Sequence, residues 1–227
     1  LDGTITTSGL GYRDGQWSAD SEGCSNSVQT EAGESIDGPS FATTTNHFGG
    51  PGGVGAASGI SFNTNDPIMS GAGHSGPGEL GVNFSGRGVG APGVAYGAKD
   101  ASLLTMGSGA AGNLTCASGF PGPALVVDGS HLSGGIALML VDKLDIGATG
   151  TVTSNAKTAY RDVSASGGYV FIRGRTLNVG TNRVTAIGGI GTPVSGPVFG
   201  TKIKSSDGYV VLQGTVTGTT TPVATKL

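Results

Sequence analysis

The chain is poor in charged residues and in long apolar runs, and each of these shortages excludes a class of protein. Only 12% of its 227 residues are charged and its net charge is −3, so nucleic acid, which needs a basic stripe with interleaved aromatics, is not a predicted partner. No apolar run approaches 18 residues, so no membrane span is predicted. The common serine-hydrolase and metal motifs are missing as well.

Glycine is what the chain has in excess. With 45 glycines and 10 prolines, the composition approaches that of low-complexity, disordered chains. However, 36% of the residues are hydrophobic, whereas disordered chains lack apolar residues and are rich in charge. Because an ordered glycine loses more backbone entropy than any other residue, tight packing or assembly is expected.

A short phrase recurs along the sequence: GTITT at 3–7, GTVTS at 150–154, NRVTA at 182–186 and GTVTG at 214–218. Around the second and third copies, a longer unit repeats. Leu144 and Ile146 recur as Leu177 and Val179 at a shift of 33, and residues 208–212 echo 168–172. A fixed period of this length is typical of stacked units that share one core.

The repeated segments alternate apolar and polar residues, are rich in β-branched and aromatic residues, and show no helical periodicity. They predict an all-β fold, a parallel β-helix (β-solenoid) forming one domain over 1–227. Residues 1–11 are the first strand, 12–129 a polar and glycine-rich insertion, and 134–220 the regular coils, followed by a short tail. The expected core positions are Ile5, Leu144, Ile146, Val152, Leu177, Val179, Val184 and Val216. The threonine phrases are spaced too unevenly to share one face.

The insertion allows two arrangements. Its short apolar islands could form strands in extra, irregular coils, or its glycines could pack as extended left-handed helices with three residues per turn. In both cases, the insertion is expected to emerge after the first strand and to fold against the regular coils.

The phrases GTITTSG, VAYGAKDASLLTMGSGAAG and GGIALMLVDKLDIGATGTVTSNA, in this order, carry a resemblance. Over 1–11 and about 94–218, the chain resembles the glycine-rich, pectate-lyase-like β-solenoid segments of bacterial surface and secreted proteins. The resemblance implies a right-handed parallel β-helix outside the cell and no catalytic residues. The acidic block at 12–48 departs from the pattern.

Few side chains are candidates for chemistry. Cys24 and Cys116 are expected to form a disulfide, as in exported proteins, or to be two separate thiols. Trp17 with Asp14 and Asp20 is a candidate glycan contact. His47, His74 and His131 are expected to satisfy local hydrogen bonds, and Asn83 and Asn113 fit the glycosylation pattern.

Carboxylates such as Asp142 and Asp145 are expected to be solvated loop charges, with structural calcium as an alternative. The Gly-x-Gly-x-x-Gly matches at 50, 71, 76 and 107 do not open a helix after a strand, so no cofactor is predicted.

The sequence therefore predicts a non-enzymatic extracellular structural protein, secreted and processed, that builds a surface fibre, filament or adhesin. Its partner is itself, because open solenoid ends present unpaired backbone groups that accept another strand. The alternative is a carbohydrate- or receptor-binding β-helix, such as a phage tail fibre, tailspike or polysaccharide lyase-like protein that contacts surface glycans. A groove that combines carboxylates with arginine or lysine would favour the alternative.

Overall fold

A computed structural model describes residues 1–13, 17–18, 29–30, 33–36, 70–80, 92–110, 132–157, 164–191 and 203–227. These residues form strands and no helix. The strands are β1 (Thr4–Thr6), β2 (Trp17–Ser18), β3 (Gln29–Thr30), β4 (Ile136–Leu140), β5 (Lys143–Asp145), β6 (Thr151–Thr153), β7 (Tyr169–Thr185), β8 (Ile190–Gly191), β9 (Ile203–Lys204), β10 (Tyr209–Thr221) and β11 (Thr225–Lys226). Within these ranges, no helix is long and apolar enough to cross a membrane.

Seven strands form one parallel sheet, and two short antiparallel pairs, β2–β3 and β8–β9, lie outside it. Residues 136–153, 169–185 and 209–221 are three full layers of this sheet, and β1 and β11 are partial layers at its two ends. Leu144 lies opposite Leu177 and Val152 opposite Val184. The predicted in-register stacking of the repeated unit is therefore confirmed.

One apolar cluster fills the space behind the sheet. It includes Ala137 of β4, Leu144 of β5 and Val152 of β6, together with their partners in the next two layers. β4, β5 and β6 follow one another in the same layer, and all three contribute to this cluster. Apolar burial at about 25 cal/mol per Å² makes the cluster the main stabilising feature of the sheet.

Six of the eight predicted core residues are buried, each 6% exposed or less: Leu144, Ile146, Val152, Leu177, Val179 and Val184. Ile5 is 37% exposed, because β1 is a partial layer that, among the described strands, pairs with β6 alone. Val216 is partly buried and packs against the edge of the cluster. The prediction of a buried position is thus wrong for Ile5.

The threonine phrases share a face more often than their spacing suggested. Thr4 lies opposite Thr151. Thr6, Thr153 and Thr185 occupy paired positions in successive layers, and we call such a set of positions a column. The fourth phrase does not join them, because Thr215 and its neighbours pair with residues 176–178. The predicted short tail is also wrong, since β10 continues to Thr221 and β11 adds a layer after it.

The described parts of the insertion pack against one another and against the segments that precede β4, β7 and β10. Three consecutive N–H groups point to three different segments: Gly107 N to Gly134 O (2.9 Å), Ser108 N to Ser166 Oγ (2.7 Å) and Gly109 N to Glu34 O (2.9 Å). A flat strand, with its period of two, presents only two such directions. The pattern fits an extended segment with three residues per turn.

The described parts of the insertion and the segments that precede β4, β7 and β10 together form what we call the glycine-rich block. Buried serine hydroxyls lie in and beside it. Ser154 Oγ donates to Gly135 O at 2.7 Å, and Ser164 Oγ lies 2.8 Å from Ser205 Oγ. Buried hydroxyls are tolerated when they are hydrogen-bonded, as those of Ser154, Ser164 and Ser205 are, whereas Ser35 Oγ has no hydrogen-bond partner among the described residues. The fully or almost fully buried serines are Ser35, Ser70, Ser108, Ser133, Ser154, Ser164, Ser166 and Ser205.

Candidate functional site: the open layers and the corner groove

In the part of the chain that the structure describes, the first full layer has an unpaired edge along β4, which we call the first open edge. Tyr169 N donates to Gly135 O and Val141 N donates to Arg173 O, both at 2.9 Å. Backbone groups of the odd-numbered residues therefore face β7, and those of residues 136, 138 and 140 face away from it. Among the described residues, no strand pairs with this second side of β4.

The outward face of β4 is apolar. Ile136, Leu138 and Leu140 are 36%, 54% and 68% exposed, while Ala137, between the first two, lies in the core. Edge strands normally carry charges, proline or a bulge that prevents further pairing. This strand carries none of these, so it can accept another strand.

At the opposite end of the sheet, β11 is the last strand among the described residues, and we call its outer side the second open edge. This strand pairs with Val211 and Leu212 of β10, and Leu227 N donates to Leu212 O at 3.0 Å. Val223 is 91% exposed and Leu227 is 48% exposed. Hence both ends of the sheet present exposed apolar side chains.

The two ends are related by register. Leu138, Phe171, Val211 and Thr225 form one column across four layers. Extending this register by two residues in each direction from Thr225 aligns Val223, which precedes β11, with Ile136, and Leu227 with Leu140. Ile136 and Leu140 therefore align with apolar residues at the other end, whereas Leu138 aligns with Thr225.

A groove of about 620 Å³ lies at a bend of the three full layers, and we call it the corner groove. Its lining residues are Leu140, Val141, Asp142, Arg173, Gly174, Arg175, Gln213 and Gly214. Gly214 has a φ of 138°, and a Cβ on it would overlap the carbonyl oxygen of Gly174. Only glycine suits this bend, because the two backbones touch in a conformation that other residues avoid.

The corner groove contains one ion pair and one further arginine. Arg175 Nε donates to Asp142 Oδ1 at 3.0 Å and Arg175 Nη2 donates to Asp142 Oδ2 at 2.7 Å. Both side chains are more than 70% exposed, so the pair adds little stability. Arg173 lies between Leu140 and Gln213 in register and forms no ion pair with any described residue.

His74 joins the insertion to the layered sheet. Its Nδ1 lies 2.7 Å from Gly167 O and its Nε2 lies 2.8 Å from Thr105 Oγ1. Since a carbonyl can only accept, Nδ1 carries the proton and Nε2 accepts from threonine. These partners are distant in sequence, so the prediction of local hydrogen bonds is wrong for His74.

Burial lowers the pKa of His74 to about 4, although its bond to Gly167 acts in the opposite direction. The rings of Tyr96 and Tyr209 lie 4.8 and 5.0 Å from the imidazole, centroid to centroid. Burial also raises the pKa of Tyr169 to about 12. The cluster holds neutral rings in structural contacts, and it has the character of a packing centre.

Several predicted site residues lie outside the described ranges: Cys24, Cys116, Asp14, Asp20, His47, His131, Asn83 and Asn113. Trp17 belongs to β2 and lies opposite Thr30 of β3. Within the described ranges, no group of three or more His, Cys, Asp or Glu side chains is placed to hold a metal ion.

Asp142 and Asp145 are exposed, as expected of solvated charges, and each of them is also paired. Asp142 binds Arg175, and Asp145 Oδ1 accepts from Asn178 Nδ2 at 2.7 Å. Sequence reasoning missed both pairs and the corner groove, yet a signal was present. Each pair is separated by the repeat shift of 33 residues, which places its members side by side in adjacent layers.

No family model matches the chain, and neither a curated protein nor a solved structure matches it. Function is therefore inferred from the chain's own residues and contacts.

Proposed function

We propose that the parallel sheet belongs to a β-solenoid, a parallel β-helix against which the glycine-rich insertion packs. Three successive strands of one layer contribute to one core cluster, as expected when a layer winds around a shared interior. We propose further that the chain is a non-enzymatic structural protein outside the cell, whose copies join end to end in a surface fibre, filament or adhesin.

The matched apolar columns at the two open edges are the observation that supports assembly. If β11 of one copy lies beside β4 of the next, Val223 contacts Ile136 and Leu227 contacts Leu140. The added strand is parallel, like every other pair in the sheet. Such a joint satisfies unpaired backbone groups and buries exposed apolar side chains at the same time. Because the contact is head to tail and does not close, it produces a filament.

A structural role also agrees with how the described titratable side chains are used. Asp142 is held by Arg175, Asp145 by Asn178, and His74 is buried and neutral. General acid–base catalysis needs a group that is free to exchange protons with a substrate. The location outside the cell is proposed from the sequence, on its resemblance to surface and secreted solenoids.

Assembly is tested first by substituting the first open edge. Leu138→Lys places a charge on an edge strand, which is a known way of preventing strand addition. We expect filaments of the wild-type chain in negative-stain microscopy and monomers of the variant in sedimentation velocity. Leu80→Lys is the matched control, because Leu80 is 63% exposed and belongs to neither β4 nor β11; it should assemble as the wild type does.

A mixing experiment then tests the direction of the joint. Val223→Lys alters the second open edge and leaves β4 intact, whereas Leu138→Lys leaves β11 intact. Each variant alone should remain a monomer, and an equimolar mixture should form dimers that grow no further. A wild-type chain that stays monomeric at every concentration, or assembly that both substitutions leave intact, would overturn the proposal.

A further inference from the structure

We propose that the corner groove binds an anionic glycan, with Arg173 as the residue that contacts its charged group. This inference does not depend on end-to-end assembly, because the groove spans all three full layers of a single copy. The corner groove would then be the glycan-binding site of the predicted alternative, a glycan-binding β-helix.

Arg173 is the available cation of the groove. Asp142 already receives two hydrogen bonds from Arg175, and the neighbours of Arg173 in its column, Leu140 and Gln213, are uncharged. The charges of the lining residues Asp142, Arg173 and Arg175 therefore sum to +1, and Arg173 is the one that has no ion-pair partner among the described residues. A guanidinium group presents several N–H donors in a planar fork, which matches the oxygens of a carboxylate or a sulfate ester.

The other lining residues favour a hydroxyl-rich ligand over a bare anion. Asp142 has acceptor positions beyond those used by Arg175, and the amide of Gln213 both donates and accepts, so these residues can bind sugar hydroxyls. In a single copy, Leu140 is 68% exposed and offers an apolar surface for the face of a sugar ring; in the proposed joint, Leu227 of the neighbouring copy competes for this surface. With layers about 4.8 Å apart, the groove runs roughly 10 Å along the stack, which suits a short oligosaccharide.

The negative net charge of the chain means that an anionic ligand must be held by a local positive group. The net charge is −3, so the protein as a whole repels an anionic polymer. Long-range attraction cannot account for binding, and a local positive group is required.

The test uses three carbohydrate probes: a hyaluronan oligosaccharide, which carries carboxylates, dextran sulfate, in which sulfate esters replace hydroxyls, and neutral dextran. Titration calorimetry at physiological ionic strength should show binding of at least one charged probe and none of dextran. Arg173→Gln should weaken that binding roughly tenfold or more, the usual effect of losing a hydrogen bond to a charged group. Arg183→Gln removes the same charge outside the groove and should change the affinity less than twofold.

Each result has one meaning. Binding of the hyaluronan probe alone identifies a carboxylate ligand, and binding of dextran sulfate alone identifies a sulfate ester. Equal weakening by both arginine substitutions, binding of neutral dextran with equal affinity, or no binding of either charged probe would overturn the inference. Arg173→Gln is expected to assemble as the wild type does, so a failure here is distinguishable from a failure of the end-to-end joint.

Discussion

Replacement of Gly208 by alanine is expected to lower the free energy of unfolding by about 3 kcal/mol or more, the upper range for overpacking. Gly208 immediately precedes β10, and its N–H donates to Ala186 O at 2.7 Å. A Cβ there would overlap the carbonyl oxygen of Gly168 and lie 2.8 Å from the carbonyl carbon of Gly167. These are backbone atoms, which cannot rotate away as a flexible side chain can.

The effect is steric, because the φ of Gly208 lies outside the left-handed region and alanine can adopt it. Gly76→Ala is the matched control within the glycine-rich block: its added methyl would lie 3.8 Å from Ser206 Oγ, an ordinary contact. Its unfolding free energy should change by no more than about 0.5 kcal/mol. Urea unfolding followed by tyrosine fluorescence measures both, and equal midpoints would contradict the close backbone packing described here.

Acidification from pH 7 to pH 4 is expected to destabilise the protein by up to about 3 kcal/mol through His74 alone, given its folded pKa of about 4 against an ordinary 6.5. The unfolded chain binds the proton first, so its population gains as the pH falls. The stabilising contribution is complete above pH 6.5, decreases between 6.5 and about 4, and is absent below. Tyr96 and Tyr209, the titratable groups that face the imidazole, remain neutral throughout this range.

His74→Gln removes the titration and keeps hydrogen-bonding groups at the same place. The unfolding free energy of this variant should depend less on pH between 6.5 and 4.5 than that of the wild type. Urea midpoints at four pH values in this range provide the comparison. Parallel pH profiles of the two proteins would show that His74 is not buried in the neutral form.

The repeat shift of 33 residues was enough to predict which strands stack. It placed Leu144 against Leu177 and Ile146 beside Val179, because residues at equal positions in successive units occupy the same column. The same shift fixes the pairs Asp142–Arg175 and Asp145–Asn178, which composition alone had suggested to be solvated charges. Applying the shift of 33 residues to the polar positions, as was done for the apolar ones, would have predicted these pairs.

Burial at the ends of the stack did not follow from the pattern. Ile5 has the sequence environment of Val152, yet it is exposed because no layer among the described residues covers its far side. The long-range partners of His74 were equally inaccessible, since nothing in a glycine-rich loop indicates which distant carbonyl it will meet.

By itself, the sequence determined the class of the fold, the parallel stacking of the repeated segments and most of the apolar core, because these depend on periodicity and side-chain type. Tertiary structure alone decided where the layers bend, which edges stay open and which charged side chains meet in the corner groove. Those features arise from contacts between residues far apart in the chain, and local patterns carry no information about such distances.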